Sequence, residues 1–585
     1  MQTSAPYLAA CLLSFSLLPG CAVFSESSDT SAQPTESEIT SQPARQTTTP
    51  VQYADFEPEV LYQLLAAEVA GQRGRYDVTL VNYVKAAKTS KDPGVIERAM
   101  RIAQSLNADN AQTQLAELWL ETDPDNVLAH RVSAIQAVKR QELETALHHM
   151  EQIMAQGKDA DFDSLAAMAS QLPAERQEEL LALYDRLADK HPDNEELQYS
   201  IALLLKITGK PEQGLARIDG LLTQAPNFQP AIVLKGDLLY QTGEKEEALD
   251  YLTTNTRRFP VNRQMGTLYG RMLISEGQLQ AAQDEFARLV KRYPGTPGLR
   301  LSYALVALEN GQEDLARTEL GNLIEKGDHQ DEANFYLGQI EQQEGNTRQA
   351  ISYYQGVERG NFFLPALARA SELQAQQGEL EEAIKRIQRL RGQAPAFAEN
   401  LWLVEVNLLI DQDEQEHALS AASAALEQHP DNIELRYARA MLFDATGETE
   451  QAEQDLRSII EAQPENAVAL NALGYILSIR TERLDEARSF IEQALRIDPD
   501  NPAILDSMGW VLFLQGNTED ALTYLAKAWG AYPDPEVAAH YGEALWTIGE
   551  QEQARIVWEK ALEEDPEHEI LRETIERLTG PGANR

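Results

Sequence analysis

The sequence predicts an all-α fold, a solenoid or superhelix of helix–turn–helix repeats about 34 residues long, and three recurrent features carry that prediction. Prolines fall at Pro192, Pro226, Pro260 and Pro294, and again at Pro395, Pro430, Pro464, Pro499, Pro533 and Pro566; the gap from Pro294 to Pro395 fits three periods. Small residues keep the same interval at Ala202, Gly236, Gly270, Ala304, Gly338, Ala440, Gly474, Gly509 and Gly542. A second small set follows about 12 residues later, from Gly214 and Ala248 through to Ala521 and Ala554. Between the two sets a glycine recurs at Gly209, Gly243, Gly277, Gly311, Gly345, Gly378, Gly447 and Gly516.

One unit, "NPAILDSMGWVLFLQGNTEDALTYLAKAWGAYPDP", shows what each element requires. Leu505 and Met508 supply the apolar side of the first helix, helix A. Two helices approach closely only where side chains are small, which sets Gly509 against Ala521. Gly516 allows the left-handed conformation that ends helix A. Asn, Asp and Thr after the glycine or the proline, as in "GNTED" and "PDN", are expected to cap the helix that follows. Pro533 cannot continue helix B and closes the unit. One such unit cannot bury its apolar side alone, so the stack is the domain. These residues, in this order and at this period, resemble tetratricopeptide repeats (TPRs).

Toward the N-terminus the beat is less regular. Ala67, Gly74, Tyr83 and Ala86 keep register, as do Pro124, Ala134 and Ala146, but the pattern weakens between them and near Met168. The unit from 395 to 430 has Val406 where a small residue is expected and no turn glycine in "DQDEQE", which predicts a looser helix crossing there. The expected organisation is a leader at 1–20, Cys21 and a polar linker over 21–52, less regular repeats over 53–191, a regular array over 192–580 and a tail at 581–585.

The chain's two cysteines both lie within its first 21 residues. The apolar run from Tyr7 to Leu18 is too short to span a bilayer and has the length of a signal-peptide core. Leu18-Pro19-Gly20-Cys21 resembles the lipobox of bacterial lipoproteins, with Leu18 and Gly20 matching; Pro19 and a leader without Lys or Arg depart from it. That resemblance implies lipidation of Cys21, and Ala22 after it resembles lipoproteins sorted to the outer membrane, facing the periplasm. An ordinary cleaved leader and a buried N-terminal helix with an incidental cysteine are the alternatives. Ser25 to Gln52 is rich in Ser, Thr, Gln, Glu and Pro and too poor in apolar residues to form a core.

A formal net charge of −43 argues against nucleic acid as a partner, because phosphate binding needs basic stripes. After Cys21 there is no thiol for a disulfide, a thiolate metal site or a cysteine nucleophile. No phosphate-binding glycine loop, nucleophile elbow or paired-histidine metal motif occurs. His148 and His149 are adjacent, point about 100° apart on a helix, and read as solvated. The acidic runs open helices, where carboxylates favour the dipole. No cofactor, metal or catalytic set is expected, and the chain reads as an interaction protein rather than an enzyme.

In TPR superhelices helix A lines the inner wall, chiefly three residues before and one after the packing residue. Residue by residue this implies Tyr437 and Met441, Asn471 and Tyr475, and Asp506 and Trp510 as candidate partner contacts, with His540 beside them. Aromatic and amide groups on one wall suit an extended peptide. Trp510 has two readings, packing between repeats or exposure on the wall, and Trp558 is expected in the core. Lipobox, tether and repeats together resemble the long TPR lipoproteins of pseudomonads. The resemblance implies an outer-membrane adaptor that holds a periplasmic carboxyl-terminal processing protease and its peptidoglycan hydrolase substrates. The alternatives are a structural lipoprotein for an outer-membrane or exopolysaccharide export complex, and a cytosolic co-chaperone, which the N-terminus disfavours.

Overall fold

A computed structural model describes residues 57–580. Cys21, the leader, the linker and the tail therefore lie outside the described residues. Among those described there are 31 α-helices and no strand, and none of the helices is long and apolar enough to cross a membrane. They form two compact units, one ending at Ala316 and the other beginning at Arg317. Within each, successive helices pair through short turns, as in Gln229–Gln241 with Lys245–Arg258, or Pro502–Leu514 with Thr518–Ala531.

The turn inside a pair follows from backbone hydrogen bonding. Gly516 sits at φ 84°, its N–H donates to Phe513 O, and the Asn517 N–H donates to Leu512 O at 2.9 Å. These bonds satisfy carbonyls that the helix end would otherwise leave without partners. Asn517 thereby ends helix A and begins helix B at once, and its side chain makes no cap bond. Here the expectation from "GNTED" is corrected. The tight turn holds the residue after glycine at φ −90° and ψ 58°, outside the extended conformation that side-chain capping uses. After the prolines the expectation holds for asparagine, since Asn126, Asn194, Asn262, Asn432, Asn466 and Asn501 each accept from an amide of the helix they open, but Thr296 after Pro294 makes no such bond.

The unit without a turn glycine uses Asp413 instead, at φ 59°, a conformation that Asp tolerates better than most residues. In that unit the small and large positions are exchanged between the two helices. Val406 is fully buried in one core cluster with Ala422, sixteen positions later, where other repeats carry a large residue. Size has moved from helix B to helix A, so the volume between them is conserved.

Elsewhere the small residue of helix A seats a large one of helix B. A Cβ on Gly509 would lie 2.5 Å from Leu525 Cγ and 3.0 Å from the Ala521 carbonyl. Leu525, rather than Ala521 alone, is what the glycine admits. Gly236, Gly270, Gly338, Gly474 and Gly542 admit Leu252, Phe286, Tyr354, Ile491 and Trp558 in the same way. Trp558 is 2% exposed, a core residue as expected.

In the N-terminal unit the weak pattern near Met168 corresponds to a seven-residue helix, Phe162–Met168, a single 3₁₀ turn and a 17-residue helix, Ala174–Lys190. The turn before Phe162 is pinned from several sides. Phe162 N–H donates to Glu196 Oε1 at 2.6 Å, Tyr184 O–H donates to the Phe162 carbonyl, and Arg131 pairs with Asp161 at 2.7 Å. Burial, then a hydrogen bond with Asp159, raises the Glu196 carboxyl to about 8. His149 is a correction: it is half-buried, with Nδ1 2.9 Å from Nδ1 of the buried His130, while His148 is exposed. Burial and the two neighbouring imidazoles hold His149 down at about 4.

Candidate functional site

Four consecutive A helices of the C-terminal unit carry the candidate wall: Ile433–Ala445, Ala467–Arg480, Pro502–Leu514 and Pro535–Thr547. Each presents a row spaced by three and four residues, so Asp506 and Trp510 share one side, as do Asn471 and Tyr475.

Four of the seven wall residues named from sequence come together across three successive A helices. His540 Nδ1 lies 2.9 Å from Asp506 Oδ2; a carboxylate only accepts, so Nδ1 carries the hydrogen. The imidazole stacks on Trp510 at 4.0 Å between centroids and 20° between planes. Tyr475 lies 6.1 Å from the same ring and donates its hydroxyl to Glu536 Oε1 at 2.5 Å. Burial opposes charge on His540, but the adjacent Asp506 carboxylate outweighs it and holds the ring above its ordinary value. Burial also raises the Tyr475 phenol, and the Glu536 and Asp506 carboxylates add to that.

Both readings of Trp510 hold in part, since it is half-buried against the next repeat and still reaches the surface. Asp506 Oδ1 and Asn471 Oδ1 are buried without a hydrogen-bond partner among the described residues. Tyr437 and Met441 pack half-buried against the apolar core on the neighbouring A helix, and neither makes a ring or polar contact with the cluster. Burial raises the Tyr437 phenol.

Two members escaped sequence reasoning. Glu536 precedes His540 by one helical turn and so shares its side, a signal available from spacing alone. Phe513 stacks on Trp510 at 5.2 Å and 21°. Asp506 and His540 are buried, so what the cluster offers a partner is the half-buried aromatic area of Trp510 and Tyr475, held in place by the polar pair behind it. Among the described residues no group of His, Cys, Asp and Glu is arranged to hold a metal.

The helices beneath are clamped by buried ion pairs. Arg439 forms two bonds to Asp455, 2.7 and 2.8 Å, linking Ile433–Ala445 to Thr449–Ala462. Arg391 lies over the Trp402 ring at 3.1 Å and reaches the buried Glu405 at 2.5 Å. Such bidentate and stacked arrangements hold the A helices, and with them the wall, in one geometry.

Models of the tetratricopeptide repeat match residues 233–297, 270–332, 403–467 and 437–502, and a further one matches 478–540. TPR repeat-containing protein PA4667 of Pseudomonas aeruginosa is 40% identical over 531 residues, 91% of this chain and 90% of that protein. The chain belongs to the TPR repeat protein family and is a repeat scaffold for contacts between proteins. Among solved structures, a TPR protein from Parabacteroides merdae is 18% identical, covers 42% of this chain and 98% of its own, and superposes with a TM-score of 0.35. The Cut9–Hcn1 hetero-tetramer of APC/C is 12% identical and covers 89% of this chain and 97% of its own, at 0.34.

Proposed function

We propose that the chain is a membrane-anchored adaptor, held at the outer membrane by a lipid on Cys21. There it binds a periplasmic carboxyl-terminal processing protease together with peptidoglycan hydrolases, the protease's substrates. The observation that carries the reading is the Tyr475–Asp506–Trp510–His540 cluster. It is an ordered aromatic and acidic cluster built across three repeats, with Asp506 and His540 buried beneath the half-buried Tyr475 and Trp510, and it fixes the A-helix wall that a partner would meet. The Leu18–Cys21 sequence and the polar tether support the anchoring half.

Holding protease and substrate on one scaffold makes their encounter effectively intramolecular, with local concentrations up to about the mM range when the geometry permits. The scaffold itself cleaves nothing in this scheme. Two measurements test it. Membrane fractionation should move the protein to the soluble fraction on Cys21→Ser. Purified chain should retain the protease and speed its cleavage of a cell-wall hydrolase; an unchanged rate with the chain present would overturn the adaptor reading.

A further inference from the structure

We propose that a groove across the first turns of Ala398–Asp411, Ile433–Ala445 and Ala467–Arg480 takes a basic, extended segment of a partner protein. The inference rests on the partner-binding reading of the A-helix wall, though not on which partner binds.

Two adjoining cavities of about 610 and 390 Å³ make the groove, and they share Leu403, Ile433 and Glu434. The apolar part is continuous: Leu403, Ile433 and Tyr437 are half-buried, and Val468 is 58% exposed. Asn400 and Asn407 line its edges with side-chain amides able to bond an extended backbone, while Asn466 beside them is engaged as a helix cap and with Gln463.

Charge selects the occupant. Three carboxylates, Glu399, Asp431 and Glu434, line the groove, and no Lys or Arg does. Glu399 is met by Asn432 at 2.6 Å and by His429 at 3.4 Å, but neither Asp431 nor Glu434 has an ion-pair partner among the described residues. The nearby Arg436 is committed to the Pro430 carbonyl and to Asp455. The helix ends that open here each carry about +0.5 charge, together less than three full negative charges.

A strand-like segment places alternate side chains on opposite sides. Lysine or arginine at one set of positions would meet the carboxylates while apolar residues at the other cover Val468 and Leu403. The chain's own first 56 residues do not fit, with one arginine, Arg45, against five carboxylates. A second copy is disfavoured by its charge of −43.

The test measures fluorescence anisotropy of the full chain in detergent with a short labelled peptide alternating lysine with valine, and with its glutamate–valine counterpart. The lysine peptide should bind saturably and more weakly as salt rises, and the glutamate peptide should not bind. Asp431→Asn with Glu434→Gln should weaken the lysine peptide about tenfold. Glu552→Gln with Glu559→Gln, an exposed pair elsewhere, should leave it unchanged. Equal loss from both pairs would reduce the attraction to net charge and overturn the proposal, as would unchanged affinity in the groove variant. Retention of the protease with no effect of the groove variant on the peptide would sink the groove alone. The expected peptide result without protease retention would sink the adaptor alone.

Discussion

Single residues set the tolerances of this fold. Gly542 faces the Trp558 indole so closely that a methyl group has nowhere to go. Gly542→Ala should destabilise the C-terminal unit by about 1–3 kcal/mol, the usual cost of overpacking, read as a shift in urea midpoint. His540 makes a pH prediction. Its folded value is raised, so the stability it adds is complete below its ordinary 6.5 and is lost as pH rises through the folded value. A charged imidazole against Trp510 quenches the indole, so emission should rise through a step centred above 6.5 and absent in His540→Gln. A step centred lower would contradict the Asp506 pairing. Glu196, raised from 4.5 to about 8, acts with the same sign. Between those values the folded chain keeps a proton the unfolded chain has released, so stability falls as pH rises. Glu196→Gln keeps an acceptor for the Phe162 amide and should flatten that slope in thermal melts of the N-terminal unit.

Among elements, the last helix, Glu569–Thr579, has a distinct task. It opposes Pro535–Thr547 and buries Leu571 completely, with Ile575 and Leu578 packed on the Trp558 cluster. An array end needs such a cover because its outermost pair has no neighbour to bury its apolar side. Ending the chain before Glu569 should cost about 2–4 kcal/mol from the apolar area exposed, and should remove near-ultraviolet dichroism of Trp546 and Trp558. An unchanged spectrum would assign the cover elsewhere.

For the whole molecule, a net charge of −43 spread over repeats implies self-repulsion that many surface ion pairs do not cancel. Melting temperature should therefore rise from low to physiological salt, since screening weakens repulsion more than it weakens exposed pairs. The period itself could be read before any coordinates, because close packing and turn geometry each demand one residue type at a fixed interval. The compensation of Val406 by Ala422 could not, since it depends on the volume of two residues on different helices. Tyr475, Asp506, Trp510 and His540 were marked by register. Their mutual contacts were not, because stacking and hydrogen bonding across repeats depend on rotamers that spacing does not specify. The burial of His149 is hidden from sequence for a similar reason: its partner, His130, lies on another helix, beyond the reach of any neighbour rule.

The glycine seats have a consequence for how the chain finds its fold. Similar repeats invite mispairing, with helix A of one unit docking on helix B of another during folding. Here most guests differ: leucine recurs at Gly236 and Gly509, but phenylalanine fills Gly270, tyrosine Gly338, isoleucine Gly474 and tryptophan Gly542. A helix carrying tryptophan meets a poor fit in a seat shaped for isoleucine, so overpacking disfavours that wrong pairing. Variation that departs from a consensus thus separates seats whose guests differ in size, though it does not separate the two leucine seats.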